Sequence, residues 1–230
     1  MNNDPVMLIT GASSGIGEAT AREAHKAGYR LVLAARSEDR LKHLQAELGG
    51  SDRVMIARCD VQSMEDQQAV VDNALATFGQ IDAVFANAGR GGKPGGFSGA
   101  DHEVWKDMIL TNIYGAGLTV QCCLPALRKS RGHLLLTGSA AGRTTIPGSM
   151  YSATKWAVSA IGYGVREELR GSGIRVTLIE PGMVDTPFFD ERPGNALKPD
   201  DIAQAVMYAV SQPAHVDVNE LLVRPTPPVE

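Results

Sequence analysis

A chain of 230 residues with 43% hydrophobic and 21% charged side chains is long enough for one compact core and too balanced for a fibrous or disordered protein. Its net charge of −4 leaves no electrostatic footprint for nucleic acid, and no apolar run approaches the length of a bilayer span. The polar start, MNNDP, lacks the basic and apolar regions of a secretory signal, so a cytoplasmic protein with neither membrane nor nucleic-acid partners is expected. Three cysteines (Cys59, Cys122, Cys123) cannot complete a disulfide set, five scattered histidines show no ligand spacing, and no metal is expected.

In chain order, PVMLIT (5–10) reads as a strand, GASSGIG follows at once, and a helical pattern runs to about Gly28. Strand, glycine turn and helix form the context in which a glycine motif means nucleotide binding. Here Gly11, Gly15 and Gly17 are spaced G-x-x-x-G-x-G: Gly11 permits the tight turn, and the later glycines let backbone approach a pyrophosphate at the helix N-terminus. Thr10, Ser13 and Ser14 add hydroxyls. The next strand, RLVLAA (30–35), ends where an acidic residue would hold the ribose 2′-hydroxyl of NAD. Ala35 stands there and Arg36 follows, which argues for NADP, although a solvated surface arginine would look the same. A helix over SEDRLKHLQAEL (37–48) and a strand over RVMIARC (53–59) lead to Asp60 and Val61. At the carboxyl end of a strand, Asp60 could bind adenine or cap the next helix.

A helix over 63–79 and a strand over IDAVFAN (81–87) reach Asn87-Ala88-Gly89. A glycine-rich loop, RGGKPGGFSG, precedes one long amphipathic segment from about Asp101 to Arg128. Asn112, in its middle, is a mediocre helix former that either bonds in the core or bends the helix around a polar site. The strand HLLLTG (133–138) delivers Ser139, and the helix after Gly148 runs to about Gly171. On it Tyr151 and Lys155 lie one turn apart on one face. A phenol titrates near about 10 in water. A fixed ammonium beside it favours the phenolate and makes the tyrosine a usable acid or base. Ser139 can hydrogen-bond the oxygen of a carbonyl or alcohol, so the trio fits proton transfer at a carbonyl; an ordinary exposed Tyr/Lys pair is the plain alternative. A sixth strand, IRVTLIE, enters Pro181-Gly182, and a turn-rich stretch follows it. A helix (DIAQAVMYAV) and a last strand (ELLVRP) precede a proline-rich tail. Strands alternating with helices predict an α/β fold, a doubly wound and mostly parallel sheet covered on both faces, as a single domain over 1–230.

These motifs together resemble the short-chain dehydrogenase/reductase family in its compact form, from Thr10 to about Pro225. TGASSGIG, with Gly11, Ser13, Ser14, Gly15, Ile16 and Gly17, resembles the family's cofactor loop, and Asp60-Val61 its adenine-contacting pair. ANAG at 86–89 is similar to its N-A-G element, with Ala86 where Asn is usual. Asn112, Ser139, Tyr151 and Lys155 match its catalytic tetrad, and PGMVDT, with Pro181, Gly182, Val184 and Thr186, its nicotinamide segment. The resemblance implies a Rossmann-like sheet of seven strands in the order 3-2-1-4-5-6-7 and NADP as cofactor. It implies Tyr151 as general acid in reduction and general base in oxidation, with Ser139 polarising the carbonyl. Lys155 would lower the tyrosine pKa and bind the nicotinamide ribose, and Asn112 would hold a water in a proton relay. It also implies a homodimer or homotetramer paired through the helices of Asn112 and Tyr151, whose apolar residues Val104, Trp105, Ile109, Leu118, Trp156, Val158 and Ile161 fit this and fit a buried core equally.

For the substrate, Met183, Phe188 and Phe189 are apolar candidates, and Arg143 and Arg192 are candidate carboxylate binders. Phe188 and Phe189 could equally pack a lid onto the body. The ending VNELLVRPT resembles family members that act on hydroxy acids and small aldehydes or ketones. Three other readings are weighed. A carrier-linked 3-oxoacyl reductase would want a basic landing patch such as Arg128, Lys129 and Arg131, which also read as solvated helix-end charges. A nucleotide-sugar epimerase would want an additional C-terminal domain. An NADP-binding regulator without chemistry would not need the tetrad.

Overall fold

A computed structural model describes residues 4–189, 191 and 193–227. Seven strands, β1 (Val6–Thr10), β2 (Arg30–Ala35), β3 (Val54–Arg58), β4 (Ala83–Ala86), β5 (His133–Thr137), β6 (Arg175–Pro181) and β7 (Glu220–Val223), form one sheet. Its order is β3-β2-β1-β4-β5-β6-β7, and every pairing is parallel. Strands covered on both faces need apolar side chains at nearly every position, which is why β1 and β2, buried throughout, read as apolar runs with a polar residue only at one end, Thr10 and Arg30. β7, at the edge, alternates exposed and half-buried residues.

Helices fill both faces. Leu8, Val32, Val84, Leu134 and Leu178 point to one side, against α3 (Met64–Phe78), α6 (Ala116–Ser130) and α7 (Met150–Glu168). Their neighbours Ile9, Leu33, Phe85, Leu135 and Ile179 point to the other, against α1 (Gly15–Lys26), α2 (Glu38–Glu47) and α8 (Pro199–Ser211). The side-chain alternation of a strand thus divides the core into two layers. Helix starts follow local chemistry: Ser63 accepts the Asp66 N–H at 3.1 Å, Ser149 accepts the Ser152 N–H at 3.1 Å, and Pro199 opens α8.

The long segment expected from Asp101 to Arg128 is divided. α5 (His102–Ile109) and α6 are joined by a π-helical stretch, Leu110–Gly115, that contains Asn112. The glycine-rich loop before it carries a one-turn helix, α4 (Gly96–Gly99). Cys59, Cys122 and Cys123 are buried free thiols; burial pushes the Cys59 thiol up to about 12. No helix among the described residues is long and apolar enough to cross a membrane, and no cluster of metal-ligating side chains occurs among them.

Candidate active site

The chain order reverses between β1 and β4, and the carboxyl ends of the strands there open a cleft of about 1340 Å³. That exceeds the roughly 300–1,000 Å³ of an ordinary ligand pocket and leaves room for a dinucleotide beside a small second ligand.

At one end lies the glycine turn. Gly11 sits at φ +66°, and a Cβ on it would lie 2.9 Å from Ala88 Cα. A Cβ on Gly15 would meet Thr186 Cγ2 at 3.0 Å, so the segment after β6 folds down onto the turn. Ser14 precedes α1 in extended conformation, and its hydroxyl makes no capping bond. A helix N-terminus with uncovered backbone and an uncommitted hydroxyl suits a pyrophosphate, so the residues fit the expected dinucleotide. Asn87 ties this end together: its Nδ2 donates to Thr10 O at 3.1 Å, and its Oδ1 accepts the Thr137 hydroxyl at 3.1 Å. Three strands are thereby joined despite Ala86, which is buried in the core.

Arg36 is exposed on the cleft wall, and Arg40 joins it there. Arg40, four positions from Arg36, is a cation on that wall beyond those expected from the sequence. Asp60 lines the cleft without capping α3; its Oδ1 accepts the Gln62 N–H at 3.0 Å, and Ser63 supplies the cap.

At the other end, Ser139, Tyr151 and Lys155 converge on the cleft. Ser139 caps the turn Ala140–Gly142, accepting the Ala141 N–H at 3.1 Å and donating to Pro181 O at 3.4 Å. Lys155 is buried, and its ammonium donates to Thr137 O at 2.8 Å, 5.7 Å from the Tyr151 ring centre. Asn112 stands behind the wall. Its Oδ1 accepts the Arg90 N–H at 2.9 Å, and its Nδ2 donates to Arg90 O and to Thr154 Oγ1, each at 3.0 Å. Asn112 therefore bonds in the core, within the stretch where the helix takes π geometry. Gly17 also lies beneath the surface, packed against the Gly11 carbonyl. All other expected site residues line the cleft: Gly11, Ser13, Ser14, Gly15, Ile16, Arg36, Asp60, Val61, Asn87, Ala88, Gly89, Pro181, Gly182, Val184 and Thr186.

Two expectations are corrected. At Tyr151 burial outweighs the one group that lowers the pKa. Burial pushes it up to about 12 against the pull of the Ser139 hydroxyl, while the Lys155 ammonium is aimed at Thr137. Arg143 is not free to hold a substrate carboxylate, because its Nε lies 2.7 Å from buried Glu180 and its other end pairs with Glu220. Arg192 lies outside the described residues. Phe188 packs edge-on to Tyr151, ring centres 5.5 Å apart, and edge-on to Phe189. A Cβ on Gly91 would lie 2.9 Å from Phe188 Cζ, so the ring would have to shift to admit one. Of the expected pairing residues, Leu118 and Val158 belong to the core, whereas Ile109 and Trp156 are exposed, as is Tyr114 on the π stretch.

Burial holds the Lys155 ammonium down to about 8 from its ordinary 10.5. The unfolded chain then binds more protons between those values, so this group lowers stability in full below about 8, and the cost disappears as pH rises toward 10.5. Lys155→Met should melt higher than the parent at pH 7, with the gap closing by pH 10.5. Paired thermal melts check this, and a lower Tm at pH 7 would contradict it.

The family model for short chain dehydrogenases matches residues 5–196. An uncharacterized oxidoreductase of Staphylococcus saprophyticus is 40% identical, covering 98% of both chains. An alcohol dehydrogenase of Thermococcus sibiricus, solved with 5-hydroxy-NADP, superposes with a TM-score of 0.91 at 35% identity over 99% of this chain and 100% of its own. A serine dehydrogenase of Escherichia coli gives 0.84 at 34% identity over 95% and 96%. The strand order, the glycine turn and these similarities have one reading: the chain belongs to the short-chain dehydrogenase family of oxidoreductases.

Proposed function

We propose that the chain, acting as one domain, is an NADP(H)-dependent oxidoreductase that interconverts a carbonyl and an alcohol on a small hydroxy acid, ketone or aldehyde. The observation that carries this reading is the convergence of Ser139, Tyr151 and Lys155 at one end of a cleft whose other end is a glycine turn. Gly11 through Gly17 would cradle the pyrophosphate. Arg36 and Arg40 would take the 2′-phosphate, and Asp60 and Val61 the adenine. Asn87, Ala88 and Gly89 would line the middle. Pro181, Gly182, Val184 and Thr186 would receive the nicotinamide end. When bound, NADP(H) supplies or accepts the hydride.

The chain's own residues handle the proton. Ser139 and Tyr151 present hydroxyls to the substrate oxygen, and a phenol pushed up to about 12 keeps its proton at neutral pH, ready to donate in reduction. Lys155, whose ammonium lies on Thr137 O, would hold the nicotinamide ribose. Asn112 holds the main chain of Arg90 in place beside them. Similarity to a serine dehydrogenase and an alcohol dehydrogenase supports small hydroxylated substrates. Exposed Ile109, Tyr114 and Trp156 on the helices expected to pair support a homo-oligomer.

The test is titration with NADPH and NADH, followed by nicotinamide absorbance with a panel of small carbonyls. NADPH should bind more tightly. Joint replacement of Arg36 and Arg40 by alanine should weaken it by roughly 10- to 100-fold, as for lost hydrogen bonds to a charged group, while moving NADH much less. Preference for NADH would overturn the role of the two arginines, and failure to bind either would overturn the function.

A further inference from the structure

The cleft is far more basic than the chain. Arg36, Arg40, Arg90, Lys93, Lys155 and Arg224 line it, and among the described residues Asp60 is the one acidic side chain that does, in a protein of net charge −4. Most of these cations are already assigned. Arg36 and Arg40 lie at the end proposed for the 2′-phosphate, Lys155 is buried against Thr137, and Arg90 is paired with Asp107. Lys93 and Arg224 have no carboxylate partner among the described residues.

Their mounts differ. Lys93 sits on an exposed loop between Gly92 and Pro94, with more glycines on either side. Arg224 directly follows β7, whose Val223 carbonyl accepts the Gly182 N–H at 2.7 Å. A Cβ on Gly182 would stand 3.3 Å from Arg224 Cα and 3.0 Å from Pro225 Cδ, so the two backbones touch. Pro181, next in line, carries the carbonyl that receives the Ser139 hydroxyl. The guanidinium is therefore long and free, but it springs from main chain fixed two contacts away from the serine proposed to face the substrate oxygen. A planar guanidinium in such a place suits a carboxylate, which it can bind through two parallel hydrogen bonds.

We propose that Arg224 is the specificity-determining residue of this site, an anchor for a carboxylate on the substrate, so that oxo acids and hydroxy acids are preferred to their uncharged counterparts. The proposal rests on the oxidoreductase reading for the location of the substrate, and it takes the role that the sequence offered to Arg143, which Glu180 and Glu220 hold elsewhere.

Binding separates it from turnover. With NADP+ saturating, 3-hydroxybutyrate and its methyl ester are titrated calorimetrically into the parent, Arg224→Met and Lys93→Met proteins, each first checked by its melting temperature. The acid should bind the parent roughly 10- to 100-fold more tightly than the ester, the range expected for a charge-assisted contact. The ratio should fall toward one in Arg224→Met and persist in Lys93→Met. Equal affinities in the parent, no binding of the acid, or an advantage that survives Arg224→Met would each overturn the proposal. Failure of the oxidoreductase reading shows elsewhere, as absence of NADP+ binding or of turnover with every carbonyl tried.

Discussion

Tyr151→Phe should reduce carbonyl turnover by roughly 10²- to 10⁴-fold, the usual contribution of a positioned proton donor, while NADPH affinity changes little. The substitution removes one oxygen and leaves the ring, so the edge-on contact with Phe188 at 5.5 Å and the cation–ring contact with Lys155 at 5.7 Å remain. No bond of the glycine turn or of Asn87 passes through the phenol oxygen, so the cofactor end has no reason to respond. Stopped-flow absorbance and NADPH titration on the same preparation separate the two quantities. Unchanged turnover would mean that another group donates the proton. Full loss of NADPH binding would mean that the phenol holds cofactor rather than substrate.

The largest expected effect on stability comes from Glu180→Ala. Glu180 is 1% exposed on β6 and sits between three parts of the site. Its Oε2 accepts from Arg143 Nε at 2.7 Å, at the end of the turn that follows Ser139. Its Oε1 accepts the Ser159 hydroxyl at 3.2 Å, one turn along α7 from Lys155. Its own backbone leads into Pro181-Gly182. Breaking a buried pair by removing one partner costs about 3–5 kcal/mol. Arg143 keeps Glu220 and some access to water, which places the loss near the lower figure, about 3 kcal/mol or roughly 6–12 °C in Tm for a chain of this size. Turnover of whatever remains folded should fall too, because Ser139 and Lys155 lose a common brace. Glu180→Gln, which can still accept from Ser159, should fall between parent and alanine. Thermal melts with kcat measured well below Tm distinguish these cases, and a melt within 2 °C of the parent, within about 1 kcal/mol, would show that the pair contributes little.

What was readable in the sequence was what chain neighbours decide. The continuous apolar runs of β1 and β2 announce buried parallel strands because both faces must be dry. The turn GASSGIG and the spacing of Tyr151 and Lys155 are local geometry, and the structure places them on the elements expected. What escaped depends on distant partners. Arg143 looked available because Glu180 and Glu220 lie 37 and 77 positions away, and only the β6–β7 pairing brings them together. The direction of the Tyr151 shift was misjudged for a similar reason. A nearby lysine argues for a lowered value, yet burial by the fold around the cleft raises it, and the ammonium goes to Thr137 on β5. The π stretch around Asn112 was hinted at only by a weak helix former, since LTNIYG does not advertise a change of hydrogen-bonding period.

Asn112 grips Arg90 by its N–H and its carbonyl, groups that every non-proline residue carries. The side chain at position 90 is therefore not part of the clasp, and neither is that of Lys93 beyond it. A lineage can alter that rim residue by residue, exploring new molecules to accept, without loosening the amide that supports the reactive centre. The wall that filters and the centre that reacts can thus accumulate mutations on separate schedules, a division of labour that lets one scaffold diversify while its chemistry stays constant.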